Sequence, residues 1–186
     1  MSATGVSIEL NVAQQIRDLE LPLTDAKVKR AVKRALKKTM KYLERQISKA
    51  VSKETGLPQK AMKDRYKVSL FADKFVATLW IGLNPVDASK AGRASQSKIG
   101  VRVAGTLFEG AFHKRVFGEE PKIWRRVFRG KGSSKRGRKD GRFPVERMTF
   151  EIEDPVEIIV QAIQSRAEAR FETVLAQELN YEINVR

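Results

Sequence analysis

The chain has 186 residues, 41% of them hydrophobic and 32% charged, with a formal net charge of +15. The length and apolar content predict one domain over residues 1–186 with a single core. With no cysteine the composition excludes disulfides, thiolate metal sites and cysteine nucleophiles, and a single histidine, His113, leaves almost no material for a histidine-based metal site or catalytic triad.

Charge is distributed unevenly. Residues 146–186 hold nine acidic and four basic side chains and sum to −5, which leaves +20 on residues 1–145. A chain of this kind suits a polyanion, or copies of itself joined basic surface to acidic surface. No apolar run reaches the roughly 18 residues that a membrane-spanning helix needs, and Met1–Asn11 lacks the basic-then-apolar pattern of a secretory signal. A soluble protein made inside the cell is expected, with no membrane partner.

In chain order, "GVSIEL" (Gly5 to Leu10) alternates as a short strand does, and Asn11–Glu20 reads as a short helix capped by Asn11. Thr24 and Asp25 then favour the start of a long helix that runs to Glu54. Val28, Val32, Ala35, Leu36, Leu43, Ile47, Ala50 and Val51 give it one apolar stripe. Its other faces carry Lys27, Lys29, Arg30, Lys33, Arg34, Lys37, Lys38 and Lys41, with no acid among them. That face reads as solvated surface, as an interface for acidic protein or as a nonspecific phosphate contact. Gly56 marks the helix stop, and Pro58 opens a further short helix to Arg65.

From Tyr66 the period changes to two. "YKVSLFA" and "KFVATLWIGL" predict a hairpin turning near Asp73, with Trp80 partly buried, and Asn84–Lys98 is loop by composition. Further strands are predicted at Ile99–Gly105, Lys122–Phe128 and Val145–Phe150, with a segment between the first two broken by a turn at Gly110. Pro155 begins a C-terminal helix through Leu179 that buries Val156, Ile159, Val160, Ile163, Ala167, Phe171, Val174 and Leu175. No internal repeat is visible. The plan is α+β, a mainly antiparallel sheet packed against a long helix from the N-terminal half and a long C-terminal helix.

Between two predicted strands lies "FRGKGSSKRGRKDGRFP" (Phe128 to Pro144), with seven positive charges and one negative. Gly130, Gly132, Gly137 and Gly141 make residues 129–142 a flexible basic loop far longer than a hairpin requires. It reads as an arm that orders on an acidic partner, or as a tolerated insertion. Enzyme signals are weak. There is no phosphate-cradling G-x-x-x-x-G-K-[ST], the pairs Glu119/Glu120 and Glu151/Glu153 read as solvated charge, and His113 lacks a partner. No helix-turn-helix, zinc-finger or RNA-recognition signature is present.

The order of "GAFHKRVFG", "KIWRRVF", "GRFPVERMTF" and the helix "EIIVQAIQSRAEARFETVLAQEL" resembles the minor tail protein Z family of tailed phages, the tail completion proteins of long-tailed virions. The positions that carry the resemblance are Gly110, Ala111 and Phe112, then Trp124, Arg125 and Arg126, then Phe143, Pro144 and Val145. The early basic helix ending in "ETG" (Glu54 to Gly56) and the short helix with Lys63 and Arg65 agree more loosely.

This resemblance implies a structural virion protein at the head-proximal end of the tail, without catalysis or cofactor. It would act as a neck component for head-tail joining and DNA positioning. It further implies a homo-oligomeric ring, with six copies guessed from tail symmetry, bordered by tail-tube, tail-terminator or head-connector proteins. Within that expectation Lys131, Lys135, Arg136, Arg138, Lys139 and Arg142 form an arm touching genome DNA or an acidic neighbour, and Lys29, Arg30, Lys33, Lys37 and Lys41 form a basic interface helix. The alternative is a nonspecific nucleic-acid-binding protein that uses the basic helix and the basic loop.

Overall fold

The computed structural model describes residues 4–18, 26–116, 120–127 and 145–184. Strand β1 (Gly5–Asn11) leads into the short helix α1 (Ala13–Asp18), where Asn11 Oδ1 accepts a hydrogen bond from Ala13 N at 3.2 Å. The long helix α2 (Ala26–Thr55) ends at Gly56, which has the left-handed φ of +70° common at helix stops. Thr24 and Asp25, the expected cap, lie outside the described residues. Helix α3 (Gln59–Met62) and a 3-10 turn over Lys63–Arg65 precede the predicted hairpin, β2 (Tyr66–Phe71) and β3 (Val76–Gly82), which turns through Ala72–Lys74.

The segment expected to be loop contains two very short strands, β4 (Val86–Asp87) and β5 (Ser95–Gln96). After them come β6 (Gly100–Val103), β7 (Thr106–Glu109), β8 (Ala111–Lys114), β9 (Lys122–Arg126), β10 (Val145–Arg147) and β11 (Thr149–Phe150). The predicted turn between β7 and β8 falls at Gly110, whose φ of +67° suits glycine and few other residues.

The C-terminal helix is two segments, α4 (Glu153–Gln164) and α5 (Ala167–Asn184), rather than the single helix expected. At the joint Arg166 N bonds to Ile163 O at 3.0 Å, a three-residue closure that tightens the chain out of the α-helical pattern. The apolar stripe runs in phase through this joint, so periodicity alone does not reveal it.

Among the described residues all strand pairs are antiparallel, and the protein belongs to the α+β class. The chain divides into two compact units, the first holding Met1–Thr55, Met62–Asn84 and Ile152–Arg186, the second Gly56–Ala61 and Pro85–Glu151. In the first, the sheet has the order β1-β3-β2, and alternation along the strands buries Ile8, Leu10, Ala77, Leu79 and Ile81 on one face. Helix α2 packs against β2, β3, α4 and α5. Its buried side takes in the predicted stripe, apart from the half-buried Ala50, and adds Ala31, Thr39, Met40 and Ser48.

The second unit contains the sheets β5-β6-β7 and β10-β9-β8 and the pair β11-β4. Val101, Val103, Ala111, Ile123 and Trp124 are buried there, and the rings of Phe108 and Phe150 meet edge to face with centroids 5.3 Å apart. The strand predicted over Val145–Phe150 is broken at Met148, where the backbone changes partner. Met148 N bonds to Ile123 O at 3.0 Å, and Ala88 N bonds to Met148 O at 2.9 Å.

Gly100 faces Glu109 across the β6–β7 ladder, and a Cβ there would lie 2.2 Å from the Phe108 carbonyl oxygen. The obstruction is backbone, so it cannot swing aside. Gly100→Ala is expected to lower stability by about 1–3 kcal/mol, read as a reduced urea midpoint with an unchanged slope. An unaltered midpoint would show that the two strands separate without cost.

Candidate interaction surface on the long helix

Helix α2 is written in groups of four: "AVKR ALKK TMKY LERQ ISKA VSKE", Ala31 to Glu54. In a helix of 3.6 residues per turn, every fourth residue advances by about 6 Å along the axis and about 40° around it, so the four positions become four slowly winding rows. Two rows are chiefly apolar and buried, Val28-Val32-Leu36-Met40 and Ala31-Ala35-Thr39-Leu43-Ile47-Val51. The third row is basic throughout: Lys29, Lys33, Lys37, Lys41, Arg45, Lys49 and Lys53, every one exposed.

The fourth row begins Arg30, Arg34 and Lys38, and α5 supplies acids to it. Arg34 Nε donates to Glu178 Oε2 at 2.5 Å and Arg34 Nη1 to Glu182 Oε1 at 2.6 Å; Lys38 Nζ bonds Glu178 Oε1, and Arg30 Nη2 lies 3.5 Å from Glu182 Oε2. The carboxylates are almost fully enclosed, Glu178 at 5% exposure and Glu182 at 1%. Carboxylates withdrawn this far from water need charged partners, and the cations of α2 provide them. The Tyr181 ring completes the cluster, 5.5 Å from the Arg34 guanidinium.

Titration follows from these contacts. Burial raises the Glu178 pKa, but the bonds from Lys38 and Arg34 outweigh it and hold the carboxyl below its usual range. For Glu182 the bond from Arg34 leads, opposed by burial and reinforced by Arg30, and the result is again a lowered pKa. Bonds to Glu178 and Glu182 raise Arg34. Of the acidic excess in residues 146–186, Glu178 and Glu182 are thus neutralised within the chain.

Among the predicted contact residues, Lys29, Lys33, Lys37 and Lys41 share the exposed row, whereas Arg30 lies on the neighbouring row beside Glu182. Sequence reasoning missed Arg45, Lys49 and Lys53, which continue the row. The signal was present as Lys or Arg at every fourth position, a repeat too short to register as a domain-scale one. The loop candidates Lys131, Lys135, Arg136, Arg138, Lys139 and Arg142 lie outside the described residues.

The strands flanking that loop, β9 and β10, do pair antiparallel, with Arg125 Nε donating to Glu146 Oε1 at 2.8 Å. Beside that pair the Arg147 guanidinium covers the Trp124 ring at 5.3 Å. Trp124 is buried, and its Nε1 donates to Lys114 O at 3.1 Å.

His113 is exposed on β8, as are Glu120, Glu151 and Glu153 on their segments, while Glu119 lies outside the described residues. Glu153 and Asp154 occupy the first turn of α4, where negative charge favours the helix. Among the described residues no group of three or more His, Asp or Glu converges as a metal site, and no helix is long and apolar enough to cross a membrane.

An α+β chain with a cationic helix row and a charge cluster closed by its own C-terminal helix defines the class in structural terms. The family follows from the sequence: the family model for prophage minor tail protein Z (GPZ) matches residues 11–186, and the chain belongs to that family of phage minor tail proteins. Among curated proteins and among solved structures, no match was found.

The lowered carboxyl pKa values fix the sign of a pH effect. Glu178 and Glu182 stabilise the fold fully above the unfolded glutamate pKa of about 4.3, and that contribution is lost as pH falls through this value toward the lower folded one. Between pH 7 and pH 3 the urea midpoint of the native chain should therefore drop more steeply than that of the double variant Glu178→Gln, Glu182→Gln, which starts lower at pH 7. Parallel profiles would remove the cluster as a source of acid sensitivity.

Proposed function

We propose that the chain completes the head-proximal end of the phage tail, where copies form a ring at the neck and join the tail to a filled head. The observation that carries this reading is the family match over residues 11–186, a family of phage minor tail proteins. Its role is structural and rests on binding surfaces, without a cofactor. Neighbouring tail-tube, tail-terminator or head-connector proteins are the partners this position requires.

Two features support self-assembly. Among the described residues, strand β2 is paired with β3 alone, and it displays Val68 at 41% and Phe71 at 52% exposure. A sheet edge with apolar side chains is suited to another chain. Rings larger than dimers also need unlike patches on each subunit. The first compact unit has them, since β2 exposes an apolar edge while α4 and α5 expose Glu153, Asp154, Glu157, Glu168 and Glu172.

Electron cryomicroscopy of virions carrying a labelled chain tests the position. A ring of label at the head-proximal end is the expected result, and label at the distal tip overturns the proposal. Val68→Lys combined with Phe71→Lys is expected to leave a folded chain, judged by circular dichroism, that fails to enter particles. Incorporation at native levels would remove the β2 edge from the contact.

A further inference from the structure

We infer that the basic row of α2 is a seat for the phosphate backbone of duplex nucleic acid, held without regard to base sequence. Every fourth residue from Lys29 to Lys53 is Lys or Arg, all are exposed, and no acid interrupts the row. The row extends about 36 Å, because each residue of an α-helix rises about 1.5 Å. The row also winds by about 40° at each step, about 240° over its length, so Lys33, Lys37, Lys41 and Arg45, within about 120° and about 18 Å of one another, are the members that one duplex meets together.

The neighbouring row shows what the fold does with cations assigned to protein. Arg30, Arg34 and Lys38 are met by Glu178 and Glu182, enclosed carboxylates positioned by α5. The basic row has no such partner among the described residues. Six of its seven members are lysine, a residue depleted at protein interfaces, and the row contains no aromatic or aliphatic anchor around which a protein interface core could form. Lysine serves well as a point charge against phosphate.

Single strands are bound mainly by aromatic platforms on which bases stack. The aromatic residue of α2 is Tyr42, half-buried and covered by the Arg170 guanidinium at 4.8 Å from its ring centre. A rigid, evenly charged row without a stacking surface therefore fits a rigid duplex. Because α2 is packed against β2, β3, α4 and α5, it presents a ridge to the backbone and not a whole helix to the major groove. The inference concerns the purified chain and goes beyond its position in the tail.

The test is fluorescence anisotropy of the full chain with a random-sequence DNA duplex of about two helical turns, over a range of salt. Each phosphate contact contributes about 0.9 to the slope of log affinity against log salt. Replacing Lys33, Lys37, Lys41 and Arg45 together by Gln should lower that slope by about 3–4 and weaken binding at moderate salt at least about tenfold. Gln has nearly the helix propensity of Lys, so far-ultraviolet circular dichroism should be unchanged. Should the helix nevertheless be lost, Lys37→Gln with Lys41→Gln is expected to remove about half as much slope.

The control replaces Lys63, Lys90, Lys98 and Lys114 by Gln, which removes the same charge from exposed sites elsewhere. A loss confined to the row supports the proposal, and equal losses in both variants overturn it in favour of diffuse attraction by a chain of charge +15. Native binding by the row variant, with all affinity lost on neutralising Lys131, Lys135, Arg136, Arg138, Lys139 and Arg142, overturns it as well. So does polyglutamate or single-stranded DNA that displaces the duplex at equal charge, since either would identify a different occupant.

Discussion

The four-residue repeat of α2 is the constraint on which the first unit depends. A repeat of four in a helix of 3.6 residues per turn rotates each row gradually, so that the buried side moves around the helix from Val28 toward Val51. One helix can thereby pack against β2, β3, α4 and α5 along its length. Had the apolar residues kept to one narrow face, a single partner would have been enough. The same winding keeps the basic row opposite the packed side from end to end, which separates the packing role of the helix from its charge.

Burial of Glu178 and Glu182 sets the second relation. These carboxylates occupy positions on α5 that continue the stripe of Ala167, Phe171, Val174 and Leu175, where an apolar side chain would be expected. Their enclosure requires compensation, and Arg34 supplies it with bonds to both. The cluster therefore fixes which part of α5 lies beside which turn of α2. Apolar side chains slide past one another at modest cost, whereas a forked guanidinium bonded to two carboxylates does not.

In the second unit short strands replace long ones, and specificity comes from backbone geometry. Gly100 lets β6 and β7 approach, Gly110 turns the chain between β7 and β8, and Met148 passes it from β9 to β4. The family motif residues are placed by these same devices. Gly110 makes the turn, Ala111 and Trp124 enter the core, and Arg125 stays exposed with Glu146 as partner.

Much of this was legible in the amino-acid order. Apolar residues spaced three and four apart gave the long helix, alternation gave the hairpin of β2 and β3, and Gly56 and Gly110 marked the stop and the turn, because each signal is local. The family resemblance was also carried by contiguous segments. The sequence did not reveal that Glu178 and Glu182 would be enclosed, nor that Arg30, Arg34 and Lys38 would meet them, since those partners stand at least 140 residues apart. Nor did it separate the cations of α2 into a paired row and an exposed one. By itself the sequence determined that a long helix would carry many positive charges; only tertiary packing decided which were neutralised, because that depends on which face α5 covers.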